Sequence, residues 1–151
     1  MAISTSVGFS KKLLTGTASA AELFTGGKIK VWSGTVPADA SAAVAAGVLE
    51  WTISTVSTGL LFEAGTTGSR ALVKKIADTW GGEITGTPAP ATFFRLLEAA
   101  DAGTAVDTDG AYARVQGTVG IAGSGADFIV ANATFVVVTK NLSAFSMTIP
   151  V

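Results

Sequence analysis

The side chains that could carry chemistry here are carboxylates, hydroxyls and tryptophans, because the sequence contains neither histidine nor cysteine. The chain therefore lacks the commonest general base, the commonest transition-metal ligand and any thiolate nucleophile. A serine triad needs a histidine, and no residue pattern points to a serine–lysine pair in its place. We expect no catalytic residues and no enzymatic activity.

Three aspartates, Asp101, Asp107 and Asp109, lie in one predicted loop, and oxygen ligands of this kind suit Ca²⁺. Their spacing is not that of an EF-hand, because no glutamate stands at the twelfth position. Aspartate is also common in turns, where its carboxylate accepts hydrogen bonds from nearby backbone amides. We expect turn formation here, with no metal and no cofactor, and a bound cation is the alternative.

Four glutamates could in principle supply a carboxylate pair for glycoside hydrolysis. Each lies on a predicted strand or at its edge, where a carboxylate normally faces solvent. We therefore expect them to be solvated surface charges. They are Glu50, Glu63, Glu83 and Glu98.

The tryptophans are the remaining candidates for ligand binding. Trp51 shares the apolar face of its predicted strand with Ile53, so we expect it in the core. Trp32 falls on the same face as Lys28 and Lys30, so we expect it to be exposed. An exposed tryptophan serves as an interface anchor or as a platform for a sugar ring. We favour the interface, with a carbohydrate-binding module as the alternative.

The composition favours a protein that is covered by partner subunits. At 151 residues the chain is long enough for one domain with a sizeable core. Charged residues make up 14% of it, against about 25% in average soluble domains. Such sparse charge favours an obligate assembly, and a low-charge β-protein standing alone is the alternative. The net charge is −1 and no basic run exceeds two residues, so nucleic-acid binding is not expected.

No membrane or targeting segment is expected. The mean hydropathy is +0.52, but the apolar residues are dispersed and form no stretch of about 18 residues that could span a bilayer. The first residues lack the basic-then-apolar order of a signal peptide. We expect the protein to stay in the compartment where it is made, or to leave it by cell lysis.

Short apolar or alternating runs, separated by Gly, Asp, Ser or Asn, predict an all-β fold. Seven to nine strands at regular spacing favour an antiparallel β-sandwich, jelly-roll-like, as a single domain over residues 17–151. Residues 70–76 are ambiguous between strand and helix, and Lys140-Asn141 fits a tight turn between the last two strands. The expected strands lie at 28–33, 48–54, 60–63, 93–98, 113–119, 126–130, 134–139 and 144–149.

One short helix is expected near the N-terminus, over residues 17–27. Thr17 or Ser19 could cap its start, Glu22 stands three residues after Ser19, and Gly26-Gly27 ends it. Residues 1–16 are small, polar and punctuated by glycine. They predict an extended N-terminal arm that lies across a neighbouring subunit.

Three motifs follow one another along the chain. They are Leu-Phe-Thr-Gly-Gly-Lys-Ile-Lys-Val-Trp-Ser-Gly-Thr-Val-Pro-Ala at 23–38, Thr-Phe-Phe-Arg at 92–95, and Gly-Thr-Val-Gly at 117–120 with Gly-Ala-Asp at 125–127. Their order resembles that of a family of small structural proteins from tailed bacteriophages, over about residues 13 to 149. The sequence departs from the family pattern with Trp32 where a tyrosine is usual, and with Ala89-Pro90 before Ala91-Thr92.

The resemblance implies a virion component without catalysis. We expect a capsid decoration, or cement, protein that forms a dimer or trimer on the major capsid protein. It would be assembled in the host cytoplasm and lie at the capsid surface, with a tail or baseplate structural protein as the alternative. The residues expected at its interfaces are Phe9, Leu13, Leu14 and Trp32, with Arg70 and Arg95 as polar partners.

Overall fold

The computed structural model describes residues 3–16, 18–55, 58–65, 69–84, 90–129, 139–142 and 145–150. Within these ranges the chain is mostly β, with antiparallel sheets and two short helices, α1 (Val7–Leu14) and α2 (Ala20–Phe24). Neither described helix is long and apolar enough to cross a membrane. The strands are β1 (Ser4–Thr5), β2 (Lys28–Gly34), β3 (Gly47–Ile53), β4 (Ala71–Val73), β5 (Trp80–Glu83), β6 (Ala91–Leu97), β7 (Arg114–Gly120), β8 (Phe128–Ile129), β9 (Thr139–Leu142) and β10 (Ser146–Thr148).

A central antiparallel sheet has the strand order β1-β7-β6-β2-β3, and β8 pairs in parallel with the end of β7. Two smaller sheets, β4-β10 and β5-β9, are also antiparallel. Isolated bridges from Trp51 to Ile84 and from Ser54 to Gly81 join β5 to β3. The central sheet is thereby extended beyond β3.

The main core lies on one face of the central sheet. Ile29 and Val31 of β2 and Phe94 of β6 pack there in one buried cluster with Phe24 of α2 and Leu72 of β4. Burial of apolar side chains of this size stabilises a fold by roughly 1.5–3 kcal/mol each. The helices and the β4-β10 sheet therefore cover this face.

Most strand predictions are confirmed. The strands β2, β3, β6 and β7 lie within a residue or two of the positions that the alternation of apolar and polar residues predicts. The tight turn expected at Lys140-Asn141 is wrong, since both residues belong to β9 and pair with β5. Residues 60–63 contribute only an isolated bridge at Phe62, and the ambiguous segment 70–76 contains β4. Of the strand expected at 134–139, residues 134–138 lie outside the described residues.

The capping box expected at the start of α2 is confirmed. The Ser19 hydroxyl accepts a hydrogen bond from Glu22 N at 3.3 Å, and Glu22 Oε2 accepts one from Ser19 N at 2.6 Å. This reciprocal pair satisfies two amides that a helix start would otherwise leave unbonded. Thr17, the other candidate cap, lies outside the described residues.

Glu22 gives the fold a testable pH dependence. The hydrogen bonds from the Ser19 backbone and side chain lower the pKa of Glu22 below its ordinary value. The folded state therefore binds this proton less tightly than the unfolded state, so the stabilisation is fully present above the unfolded pKa and is lost as the pH falls through the lower, folded pKa. We expect the difference in melting temperature between wild type and Glu22→Gln to shrink as the pH is lowered from 6 to 3. A difference that stays constant would contradict the prediction.

The extended arm expected over residues 1–16 is wrong for residues 4–14, which form β1 and α1, so the described chain has two helices where one was expected. The Ser6 hydroxyl caps α1 by accepting from Phe9 N at 3.1 Å, and it donates to Tyr112 O at 2.9 Å. Phe9 is 2% exposed and stacks on Phe24 with ring centroids 5.8 Å apart. The segment packs against its own chain because the Phe9 ring contacts Phe24 and the Ser6 hydroxyl binds the Tyr112 carbonyl.

Candidate functional site

Two loops cover the second face of the central sheet, the face that turns away from the main core. Loop A, residues 35–46, joins β2 to β3, and loop B, residues 98–113, joins β6 to β7. We call their outward surface the loop face. How these loops are held, and what they expose, defines the candidate site.

An apolar layer lies beneath loop A. Trp32 stacks on Phe93 with ring centroids 5.2 Å apart, and Leu97 completes this small buried cluster. Val36 and Val44 of loop A pack against it. Trp32 does lie on the face opposite the main core, but the expectation that it is exposed is wrong, because loop A covers it and leaves it 2% exposed.

Arg95, fully buried on β6, joins the two loops to the sheet. Its Nη1 donates to Gly103 O of loop B at 2.8 Å, and its Nη2 donates to Ala42 O of loop A at 2.8 Å. Its Nε donates to Gln116 Oε1 at 2.9 Å, and Gln116 Nε2 in turn donates to Pro37 O at 2.9 Å. With a further bond from Arg95 Nη2 to Asp39 O at 3.2 Å, one guanidinium and one amide therefore hold four carbonyl groups of the covering loops.

Arg114 of β7 forms the second anchor, through a buried ion pair with Asp101. Its Nε lies 2.5 Å from Asp101 Oδ2 and its Nη2 lies 3.0 Å from Asp101 Oδ1. Its Nη1 donates to Ala105 O at 2.7 Å, and Asp101 Oδ1 also accepts from Gly103 N at 2.8 Å. Two parallel charge-assisted bonds set the guanidinium plane, so loop B is held in one geometry.

Arg95 stays ionised at neutral pH despite its burial. Burial, and after it the neighbouring charge of Arg114, lower the pKa of Arg95 to about 10. Asp101 and Asp39 oppose this shift. The guanidinium of Arg95 therefore remains a charged donor at neutral pH, which makes its bonds to loop carbonyls stronger than neutral ones.

Sequence reasoning missed Arg114, Asp101 and Gln116 as a structural cluster. A signal was present, because Arg114 and Gln116 alternate with Val115 on a predicted strand and therefore share one face. Arg95 occupies the neighbouring strand opposite Gln116. A row of polar residues on otherwise apolar strands indicates a second, buried polar layer.

Two of the three aspartates of loop B, Asp101 and Asp107, accept hydrogen bonds from nearby backbone amides, as expected for turns. Asp107 accepts hydrogen bonds from Ala111 N at 2.9 Å and from Tyr112 N at 3.0 Å, and Asp109 is exposed. Asp101 is engaged with Arg114. In the part of the chain that the structure describes, no group of three acidic residues is placed to hold a metal ion.

Two of the four glutamates are bound by side-chain partners within the chain. Glu50 is fully buried and its Oε1 accepts from the Ser33 hydroxyl at 2.6 Å, so the expectation that it is solvated is wrong. Glu98 pairs with Lys12 of α1 at 2.6 Å. Glu63 remains exposed. Glu50 and Glu98 therefore bind different partners, Ser33 and Lys12, and both have a structural role.

The loop face itself is almost free of charge. Loop A and loop B are hydrogen-bonded to each other, through Val44 N to Thr104 O at 2.9 Å and Asp107 N to Ser41 O at 2.8 Å. Asp39 and Asp109 are the charged residues exposed on the two loops, which are described in full. The other exposed residues are small and uncharged: Thr35, Ala38, Ala43, Ala45, Ala46, Ala99, Ala100, Ala102, Thr104, Ala105, Val106, Thr108 and Ala111.

The six residues expected at interfaces are not brought together. Leu14 is 82% exposed at the end of α1, Leu13 is half-buried against the main core, and Arg70 is half-buried. The three tryptophans are all buried, Trp51 as expected, so none presents a ring to a sugar. Three of the six are buried within the chain and cannot serve as surface contacts: Phe9, Trp32 and Arg95.

Comparison with known proteins adds no relative. The chain matches no protein-family model, no curated protein and no solved structure. Its function is therefore inferred from the loop face and from the residues that build it.

Proposed function

We propose that the chain is a structural protein of a bacteriophage virion, and specifically a decoration protein that binds the major capsid protein as a homo-oligomer. The observation that carries the proposal is the loop face, a nearly uncharged surface fixed to the sheet by the buried Arg95 and Arg114. Its backbone is already ordered before any partner binds. Binding therefore loses little conformational entropy, which favours affinity.

The sparse charge of the loop face supports a protein partner. Charged residues are depleted at the centres of protein interfaces, and the exposed residues here are mainly alanine and threonine, with Asp39 and Asp109 as the exposed charges. Alanine loses no side-chain entropy on burial, and its small size lets two backbones approach closely. A weak contact of this kind becomes strong when a symmetric oligomer repeats it over a shell.

The proposal also includes the architecture, which is a jelly-roll-like β-sandwich. The central sheet would form one layer and the β4-β10 sheet, packed across the main core, part of the other. A β-body closed in this way resists deformation because its interior is tightly packed. The order of the motifs at 23–38, 92–95 and 117–127, which resembles that of phage structural proteins, points in the same direction.

Val106→Asp tests the loop face as the surface that binds the shell. Val106 is 58% exposed, and a carboxylate there would have to be desolvated on binding. We expect binding to virions stripped of the protein to weaken by about tenfold or more, measured by co-sedimentation. The control is Ile121→Asp, an equally drastic change at a residue 50% exposed outside the loop face, which should bind normally.

Three outcomes would each overturn a part of the proposal. Equal binding of the Val106→Asp and wild-type proteins would remove the loop face from it. Stripped virions that resist heat as well as complete ones would remove the cementing role. A copy number of a few to dozens per particle, where a decoration protein has hundreds, would assign the chain to the tail or baseplate.

A further inference from the structure

The turn that follows β4 presents an isoleucine to solvent. Ile76 is 90% exposed, the highest value among the large apolar side chains in the described part of the chain. Its backbone is nevertheless held firmly, because Ile76 N donates to Glu63 Oε1 at 3.0 Å and Asp78 N donates to Lys75 O at 3.1 Å. We call Lys75 and Ile76 the knob.

A buried lysine fixes the knob from below. Lys74 is 7% exposed, its Nζ donates to Lys75 O at 3.2 Å and to Asp78 O, and it lies 5.9 Å from the Trp80 ring centroid. Burying an ammonium group costs free energy unless its hydrogen bonds are replaced. Here those bonds hold a turn whose apex faces water. A rigid, exposed apolar side chain is what an interface anchor requires.

The same chain carries a groove suited to such an anchor. It has a volume of about 360 Å³ and runs between β8 and β10. Of the described residues that line it, Asp127 is the one that carries a charge. The rest of the lining is mixed: Ser146 and Thr148 are polar and uncharged, and the apolar residues are Ile3, Phe128, Ile129, Leu142, Phe145 and Met147.

We propose that the knob of one copy inserts into the groove of a second copy, with Lys75 facing Asp127. Ile76 would meet the apolar part of the lining, and Lys75 would meet the carboxylate of Asp127, whose Oδ2 also accepts hydrogen bonds from Thr118 N and Oγ1 at 2.8 Å within its own chain. Lys74 N donates to Phe145 O at 3.0 Å, so the knob begins beside the strand that lines the groove. A two-fold axis near β10 can therefore bring each knob close to the other copy's groove. The inference rests on the homo-oligomer of the proposed function, and it names the residues through which two copies would contact each other.

The first test is the oligomeric mass, measured by light scattering after size exclusion over a range of concentrations. Wild type is expected to form a dimer or higher oligomer, and Ile76→Asp is expected to weaken the association by about tenfold or more. Val106→Asp, on the loop face, is the matched control and should keep the wild-type mass. A monomeric wild type, or an Ile76→Asp variant that associates like wild type, would overturn the proposal.

The second test locates the contact. Because the chain contains no cysteine, single-cysteine variants report proximity between copies directly. A mixture of Ile76→Cys and Ile129→Cys should form a mixed disulfide under mild oxidation, whereas Ile76→Cys with Val106→Cys should not. Equal yields from both mixtures would rule out the groove. Shell binding is scored separately, so a chain that dimerises through the knob but binds no shell would refute the decoration role alone.

Discussion

Replacing Arg114 by methionine is expected to lower the free energy of unfolding by about 3–5 kcal/mol, because removing one partner of a buried ion pair leaves the other charge uncompensated. Asp101 would remain buried at 2% exposure without its guanidinium, and Ala105 O would lose its donor. Native domains are stable by only about 5–15 kcal/mol, so the loss is a large fraction of the total. Denaturant unfolding measures it.

The matched control for this prediction is Lys12→Met. The Lys12–Glu98 pair has a similarly short distance, 2.6 Å, but its side chains are 34% and 16% exposed. Solvated pairs of this kind contribute about 0–1 kcal/mol. Adding Asp101→Asn to Arg114→Met should recover part of the loss, because the amide keeps an acceptor for Gly103 N without a buried charge. Equal effects of Arg114→Met and Lys12→Met would show that the buried pair does not hold loop B.

Phe9→Ala is expected to destabilise the fold by about 3–5 kcal/mol, since it removes a buried aromatic side chain and leaves a cavity. Phe9 is 2% exposed and stacks on Phe24 in the main core. If residues 1–16 formed an arm without contacts to the rest of the chain, Phe9→Ala would not change the free energy of unfolding. The variant therefore separates a docked helix from the extended arm that the sequence suggests, by thermal or denaturant unfolding.

Leu14→Ala provides the comparison within the same helix. Leu14 is 82% exposed, and surface substitutions of this kind usually change stability by less than about 0.5 kcal/mol. The helix propensities of leucine and alanine are close, so the backbone is little affected. If Phe9→Ala were as mild as Leu14→Ala, α1 would not be docked on the body in solution.

Helix α1 shows why a local pattern can be missed. Ser6 is a good N-cap, and Phe9 and Leu13 lie four residues apart on one face, but Gly8, directly before Phe9, lowers the helix propensity. In the structure that glycine is required, because a Cβ there would clash with the Tyr112 carbonyl. The residue that argues against a helix in the sequence is the one that lets the helix dock.

Arg95 and Trp32 show a different limit. Alternation places both on the face opposite the main core, but it does not say whether the chain covers that face. Arg95 is covered from far along the chain, since Ala42 lies 53 positions from it, whereas Val36 and Val44, which cover Trp32, lie in the loop that follows its own strand. The exposure of Trp32 inferred from the periodicity of its strand is therefore wrong, and Arg95 cannot be read as a surface residue either.

Features that depend on near neighbours can be predicted from the sequence. These are the positions of the main strands, the Ser19–Glu22 capping box and the turn-forming role of Asp107. Each follows from a spacing of a few residues. The cover over both faces of the central sheet, which buries two arginines and leaves the loop face nearly uncharged, is visible in the three-dimensional structure alone. The physical reason is that period-two alternation separates the two faces of a strand, whereas solvent exposure depends on what the rest of the chain places over each face.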